Sequence, residues 1–153
     1  MLLTAFLAGC GGCATSPVVL RATGVGAVTF GQPVAEAGVP AAGQSADAVC
    51  RYVEYPSLPG LRLTVENGVI TRADAGPTVR NALGVQLGDT TDSVVALYPE
   101  VAVERSGASV GGTNLVIADP GGRHAIVLQA AGNKIIAIRA GLLGSVGRPE
   151  GCP

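Results

Sequence analysis

Two stretches of the chain alternate between apolar and polar residues with the two-residue period of a half-buried β-strand. Residues 61–73 read LRLTVENGVITRA and residues 126–138 read IVLQAAGNKIIAI, each divided by a short turn sequence. We predict a β-hairpin in each. A two-residue turn could connect the strands of each hairpin. A three-residue loop, in which Gly68 and Asn133 take the left-handed conformation, groups the apolar side chains in the same way in both copies, and we prefer this loop. One face of each hairpin would then hold Leu61, Leu63, Val65, Val69, Thr71 and Ala73, or Ile126, Leu128, Ala130, Ile136 and Ile138.

The two hairpins belong to a weak internal repeat. Upstream of each lies an apolar step, then a glycine, then a helix start, with Gly31 of the first copy opposite Gly88 of the second. A further apolar strand precedes each hairpin, at 49–55 and at about 114–118. The repeated unit is therefore one short helix followed by a three-stranded antiparallel meander.

The two helices differ in their start signals. Pro33 suits the first position of the first helix, which is short because Gly38 and Pro40 follow it. Asp89 is a suitable N-cap for the second helix, and Asp92 adds a charge that favours the helix dipole. The second helix is predicted over about 90–97, with three residues facing inward: Val94, Val95 and Leu97.

These elements predict an α+β fold of two tandem α-β-β-β units, with short helices on one face of an antiparallel sheet. A single unit cannot bury both faces of its sheet, so the halves must share a continuous sheet or pack together. The predicted layout is a signal peptide over 1–9, a lipidated tether over 10–23 and a single domain over 24–153. The domain contains repeats at about 24–76 and 77–141, followed by a C-terminal tail.

The composition restricts the function further. Of the 153 residues, 48% are hydrophobic and 14% charged, which is typical of a folded domain and not of a disordered chain. The aromatic content is only 3%, so the core must consist of valine, leucine, isoleucine and alanine. The net charge of −1, without any basic cluster, argues against nucleic-acid binding.

The chain opens with an apolar, uncharged run that is too short to span a bilayer. The run ends in Leu7-Ala8-Gly9-Cys10, which resembles the lipobox of bacterial lipoproteins. The resemblance implies that the signal is cleaved before Cys10 and that the Cys10 thiol is diacylated, which anchors the protein to a membrane. Gly11, after the acylated cysteine, implies sorting to the outer membrane, and we expect the protein to face the periplasm.

Cys10 and Cys13 also form a C-x-x-C pair, for which redox or metal chemistry is the alternative interpretation. A redox pair usually opens a helix, whereas the glycines between these cysteines and the ATSP sequence after them are typical of a linker. A metal site needs further ligands, and His124 is the one histidine of the chain. We therefore expect no metal and no cofactor.

Export gives the two remaining cysteines a structural role, because disulfides persist outside the cytosol. We predict a disulfide between Cys50 and Cys152, which would close a loop of about 100 residues. The bridge would hold a C-terminal tail that otherwise frays.

The tandem helix-plus-meander organisation is similar to that of β-lactamase inhibitor proteins and of small outer-membrane assembly lipoproteins. The helix ending at Tyr98-Pro99 and the terminal Glu150-Gly151-Cys152 also resemble a group of uncharacterised secreted bacterial proteins. Members of the named families present a sheet face or loops to another protein, so the resemblance implies a protein partner in the cell envelope. This chain lacks the aromatic-rich concave surface of the inhibitors, which argues against inhibition of β-lactamase.

One stretch of the chain matches a serine-hydrolase motif. Residues 107–111, GASVG, match the G-x-S-x-G pattern around Ser109, and Asp119 and His124 follow in the order of a catalytic triad. The pattern requires a strand, a sharp turn and a helix, whereas the flanks here are glycine-rich, and the three groups lie within about fifteen residues. We interpret 107–111 as a hairpin connection, 119–122 as a turn, and His124 as a surface or edge residue that begins a strand.

Tyrosine and arginine are enriched at binding hot spots, and five such residues form the candidate interaction patch. They are Arg51, Tyr52, Tyr55, Arg62 and Tyr98; the alternative is that they are half-buried packing residues. The sequence thus predicts a lipid-anchored, non-catalytic binding module of the cell envelope. A small-ligand or glycan-binding envelope protein is the alternative function, and a small serine hydrolase using Ser109 is a remote one.

Overall fold

The computed structural model describes residues 17–39, 48–105 and 112–152. Their strands are β1 Leu20–Arg21, β2 Gly24–Val25, β3 Val28–Thr29, β4 Cys50–Glu54, β5 Leu61–Glu66, β6 Val69–Ala75, β7 Ala102–Arg105, β8 Thr113–Ala118, β9 His124–Ala131 and β10 Lys134–Leu142. Their helices are α1 Thr91–Leu97 and α2 Leu143–Val146, and a 3-10 turn covers Val34–Glu36.

Strands β4 to β10 form one antiparallel sheet in the order β4-β5-β6-β10-β9-β8-β7. The last strands of the two predicted meanders, β6 and β10, therefore lie side by side at the centre of the sheet. This confirms the predicted α+β fold, and of the two arrangements left open the halves adopt the continuous sheet. The second half also contains β7, which was not predicted because four residues are too few for alternation to be recognised.

Backbone hydrogen bonds show the repeat directly, since each helix start is tied to the tip of its own hairpin. The Gly31 N–H donates to the carbonyl of Ile70, and the Gly88 N–H donates to the carbonyl of Ile135, both at 2.8 Å. The two isoleucine N–H groups donate in return to the residue after each glycine, at 3.0 and 2.9 Å. Both glycines have positive φ angles, 97° and 91°, which other residues adopt only at a cost.

Both hairpins turn over two residues, so the predicted three-residue loop is wrong. In the first turn Asn67 and Gly68 have φ angles of 50° and 77°. In the second turn Gly132, with φ 57°, takes the left-handed conformation that was predicted for Asn133. Turns with positive φ match the right-handed twist of the paired strands, which explains the preference for two residues.

A β-bulge follows each turn and shifts the strand register by one residue. The inserted residues, Thr71 and Ile136, occupy the same position of the repeat. The bulge brings Ile70 and Ile135 into the core in place of these two residues, and leaves Ile136 51% exposed. Beyond the bulge the predicted facing is correct, as for Ile138, which is buried.

The three-stranded sheet β1-β2-β3, the 3-10 turn and α1 cover one face of the large sheet. Their side chains form a single apolar core with the sheet residues, including Leu20, Val28, Phe30, Leu61, Val94 and Leu128. Leu20 is fully buried, and its N–H donates to the carbonyl of Arg80 at 2.9 Å. Residues 20 and 21, which fall within the predicted tether over 10–23, therefore belong to the folded domain.

Helix α1 starts close to the predicted position, but its N-cap is Thr90 and not Asp89. The Thr90 hydroxyl oxygen accepts the N–H of Ser93 at 3.2 Å. Val94 is buried and Tyr98, one turn later, packs on the same core. Val95 and Leu97, predicted to face inward, are 40% and 68% exposed, because a seven-residue helix presents one narrow stripe to the sheet.

The C-terminal segment, from α2 to Cys152, covers the opposite face of the sheet. Val146 packs there against Ala125 and Val127. Farther along, Cys152 forms the disulfide with Cys50 of β4, with their α-carbons 5.5 Å apart. The predicted bridge is confirmed, and it holds the segment across the width of the first half.

Two arginines lie beneath this segment, Arg72 of β6 and Arg139 of β10, each 2% exposed. Arg72 donates to the Asp74 carboxylate and, at 2.6 Å, to the carbonyl of Arg148, while Arg139 donates to the carbonyl of Pro149 at 3.2 Å. Burial, and then the positive charge of Arg72, lowers the pKa of Arg139 to about 10. The C-terminal carbonyls therefore supply acceptors to two buried charges.

Candidate functional site

A groove opens at the edge of the large sheet, where β8 extends beyond its neighbour β7. The first paired residues of β7 and β8 are Ala102 and Val116, so Ile117 and Ala118 of β8 pass the start of β7. On their other side they pair with β9. The chain before β7 turns away instead of continuing the strand, because the Val101 N–H donates to the carbonyl of Tyr98 at 3.0 Å. We call this region the edge groove.

The edge groove has a volume of about 660 Å³ and is lined mainly by apolar side chains. One wall is the end of α1, with Leu97 and Tyr98, and the floor is β8. The other wall includes Leu143 at the start of α2, which is 40% exposed. Val103 on the neighbouring strand is 61% exposed, so apolar surface continues beyond the groove.

Tyr98 holds the α1 wall in place. Its hydroxyl donates to the carbonyl of Leu83 at 2.7 Å, and its ring packs against the main core. Leu97, the residue before it, is thereby directed outward. The hydroxyl group and the apolar ring of Tyr98 together hold this end of α1 in position, and the groove stays open.

Two carboxylates, Glu100 and Glu104, give the edge groove its charge. Both side chains are exposed, and they are the charged residues among those that line it. No lysine or arginine of the described chain lines the groove. The site is therefore an apolar channel with an acidic rim.

The edge groove was missed in the sequence because its residues were assigned elsewhere. Leu97 was predicted to face the core, and the strand pattern of Ala102-Val103-Glu104 was too short to be recognised. A usable signal was present, however: the turn at Pro99 and Glu100 separates a helix from a short alternating run.

The structure does not bring the five residues of the predicted interaction patch together. Arg51 pairs with Val65 and is buried on the core face, because neighbouring strand residues point to opposite sides. Tyr52 therefore lies on the other face, where the Arg62 guanidinium stacks on its ring at 4.2 Å. The Tyr52 hydroxyl accepts the N–H of Cys152 at 2.8 Å, so this tyrosine holds the C-terminal segment.

The other two tyrosines of the predicted patch lie elsewhere. Tyr55 packs against the main core, and Tyr98 belongs to the wall of the edge groove. Tyr52 and Arg62 are the pair that the structure does bring into contact. The packing interpretation, which the sequence left open, accounts for most of the five residues.

Asp119 and His124 contact each other across the turn between β8 and β9. The Asp119 carboxylate accepts the N–H of His124 at 2.9 Å and lies 3.3 Å from its Nδ1 atom. Hydrogen bonds, first from the His124 N–H, lower the pKa of Asp119. His124 is only 8% exposed, which corrects its prediction as a surface residue: β9 lies between β8 and β10.

Ser109 lies outside the described residues, as do Cys10 and Cys13. The strand that follows Ser109 starts at Thr113, which pairs with Ala130.

A second pocket, of about 180 Å³, lies between residues 76–87 and Ile138. Its volume is below the range of about 300–1,000 Å³ that is usual for small-molecule sites. Asn81, its buried polar residue, has both side-chain groups engaged, with the Val85 carbonyl and the Leu83 N–H. The pocket therefore offers little unused hydrogen-bonding capacity from that side chain.

Within the described ranges, no cluster of three or more histidine, cysteine, aspartate or glutamate residues is placed to hold a metal ion. No helix in the same ranges has the length and apolar character needed to traverse a bilayer. Comparison of the chain with protein-family models, with curated proteins and with solved structures gave no match.

Proposed function

We propose that this protein is a lipid-anchored, non-catalytic binding module of the bacterial cell envelope, and that it binds a partner protein in the edge groove. The observation that carries the proposal is the groove itself, an apolar channel of about 660 Å³ beside an open sheet edge. A mainly apolar pocket of this volume is the usual kind of binding site in proteins.

The anchor is the second part of the proposal. The lipobox-like sequence before Cys10 supports it, and the disulfide between Cys50 and Cys152 agrees with a protein that folds outside the cytosol. Two acyl chains on Cys10 would hold the folded domain at a membrane, because one chain alone binds only marginally. Intact-mass analysis of the natural product tests this part: a chain that begins at an acylated Cys10 is expected, and an unmodified chain beginning at Met1 would disprove it.

Site-specific photocrosslinking tests the groove. A photoreactive amino acid replaces Leu97 or Leu143 in the full chain, and crosslinking is carried out in intact envelopes. Ile136 is the matched control, because it is also an exposed apolar side chain but lies at the other end of β10 from Leu143. We expect the same partner protein to be crosslinked from both groove positions and not from position 136.

Crosslinking that is equally strong at position 136, or absent from both groove positions, would contradict the binding role of the groove. The partner is then purified and its binding to the full chain measured directly. A Leu143→Lys variant should weaken this binding, and an Ile136→Lys variant should not.

A further inference from the structure

The edge groove also restricts the chemistry of its occupant. We propose that it binds an extended segment of the partner protein, in which apolar residues alternate with arginine or lysine, as an added strand along β8. This inference rests on the proposed function, because it names the partner chemistry for the same groove.

The backbone of β8 provides the first argument. The Asp119 N–H donates to the carbonyl of His124, in the direction of β9. Successive residues of a strand point their N–H groups to opposite sides, so the Ala118 N–H and carbonyl point to the open edge. In the described part of the chain, β7 pairs only as far as Val116 and leaves this position without a strand. An extended segment that adds to the sheet as a further strand, by β-augmentation, would supply hydrogen-bond partners for these backbone groups.

The side chains on both sides of β8 provide the second argument. Ile117 faces the same side as the core residue Ile126, next to Leu97 and Tyr98 of α1. Its neighbours Val116 and Ala118 face the other side, where Leu143 forms the wall. Side chains on one face of an added strand would therefore meet the apolar α1 wall. Those on the other face would meet Leu143 and Glu104, because Glu104 of β7 shares the face of Val116.

The charge of the rim identifies the kind of segment. Glu100 and Glu104 have no cationic neighbour among the described lining residues. A second copy of this chain would bring four carboxylates together at a shared edge, whereas arginine or lysine would complement them. Exposed ion pairs of this kind contribute mainly to partner selection and association rate.

Three synthetic peptides test the proposal against the purified full chain with its disulfide intact. They are fluorescein-labelled GRVRVRVG, the acidic counterpart GEVEVEVG, and GRVRPRVG, in which proline cannot pair as a strand. Fluorescence anisotropy should show GRVRVRVG binding at least about tenfold more tightly than either of the others. Equal binding of the three peptides would overturn the inference.

Variants locate the binding. Leu97→Lys and Leu143→Lys should each weaken GRVRVRVG about tenfold, because each replaces an apolar contact by a charge that repels the peptide. Ile136→Lys, at a side chain that is equally accessible but distant, should change affinity by less than about twofold. The double variant Glu100→Gln/Glu104→Gln should reduce both the affinity and its salt dependence. Circular dichroism and intact-mass analysis confirm that each variant is folded and oxidised.

Amide hydrogen exchange tests the strand geometry. Exchange at the Ala118 amide should slow when GRVRVRVG is added and stay unchanged with GRVRPRVG. Binding without protection of Ala118 would overturn strand addition. Sedimentation that shows a dimer sensitive to Leu97→Lys would overturn the proposed occupant in favour of a second copy.

The two proposals fail in different ways. If the groove positions crosslink a partner in envelopes but none of the peptides binds, the partner chemistry is wrong and the binding role of the groove is retained. If GRVRVRVG binds with the expected pattern but envelope crosslinking is absent, the chemistry of the groove is right and the envelope function is wrong.

Discussion

Asp74 of β6 and Arg139 of β10 are paired directly across the seam between the two halves of the sheet. The two hairpins align with an offset of 126 − 61 = 65 residues, and Arg139 follows Asp74 by the same 139 − 74 = 65. The same offset relates Ala73 to Ile138 and Ala75 to Ala140, so the neighbouring pair Ile138–Ala75 corresponds to the pair Ala73–Ala140. The pair therefore marks a local two-fold relation, and the two copies are joined through their equivalent strands.

The first prediction concerns the charged groups at the seam, whose hydrogen bonds and charge partners differ. Asp74 faces two buried guanidinium groups, while Arg139 leaves its Nε atom without a hydrogen-bond partner in the described residues. Asp74→Asn should therefore lower the free energy of unfolding by about 3 kcal/mol, the low end for a buried pair because its side chain is 21% exposed. Arg139→Met should cost less, because it relieves repulsion with Arg72. Urea denaturation measures both, and a larger loss for Arg139→Met would contradict the prediction.

Gly141 is the position where the seam tolerates no side chain. A β-carbon there would lie 2.3 Å from the Thr71 carbonyl oxygen and 2.8 Å from the Arg72 α-carbon, both backbone atoms. Gly141→Ala should therefore destabilise the protein by about 3 kcal/mol. Gly144→Ala in α2 is the control, because its β-carbon meets nothing within 4 Å; it should leave the melting temperature unchanged or slightly higher. Equal melting temperatures for the two variants would refute the close approach.

The alternating pattern was sufficient to predict the hairpins and the repeat, because facing is a property of each strand by itself. It left open whether the two halves share one sheet or pack together. The bulges were not predicted, since one inserted residue leaves a sequence such as Val69-Ile70-Thr71 equally compatible with two registers. Val95 and Leu97 were assigned to the core because apolar residues usually are, although α1 presents a narrow stripe.

The five residues of the predicted patch are separated for a different reason. Arg51 and Tyr52 are adjacent in the sequence, and adjacency places strand residues on opposite faces. The edge groove depends on where β7 stops relative to β8, which only the paired structure defines. The disulfide could be predicted because it required only two cysteines and an oxidising compartment.

The C-terminal segment should be released when the disulfide is removed. The double variant Cys50→Ser/Cys152→Ser is expected to lower the free energy of unfolding by about 4 kcal/mol, because the bridge joins residues 102 positions apart. Tyr52→Phe alone should cost about 1 kcal/mol, since it removes the acceptor of the Cys152 N–H.

The two changes should not be additive. In the double serine variant the segment is already detached, so adding Tyr52→Phe should cost almost nothing more. Tyr55→Phe is the control, because its hydroxyl makes no hydrogen bond in the described residues, and it should behave the same in both backgrounds. Full additivity for Tyr52→Phe would show that the segment stays docked without the bridge.

Acid should weaken the docking of the C-terminal segment through Glu66. Burial raises the pKa of its carboxyl, but hydrogen bonds from Thr71, Arg148 and Ser145 outweigh burial and lower the pKa below 4.5 overall. A carboxyl whose pKa is lower in the folded than in the unfolded state contributes stability above its unfolded pKa. That contribution is lost as the pH falls below about 4.5 and through the folded pKa.

Denaturation measured across this acid range therefore distinguishes Glu66 from other groups. Glu66→Gln should reduce the slope of stability against pH below about 4.5, in addition to any loss at neutral pH. Asp119 also has a lowered pKa, and Asp119→Asn should reduce the same slope independently, because its partners, His124 and Arg123, belong to a different turn. Hydrogen exchange in the wild type should show α2 amides opening first as the solution is acidified. An unchanged slope in Glu66→Gln would mean that the hydrogen bonds of this carboxylate do not hold the segment.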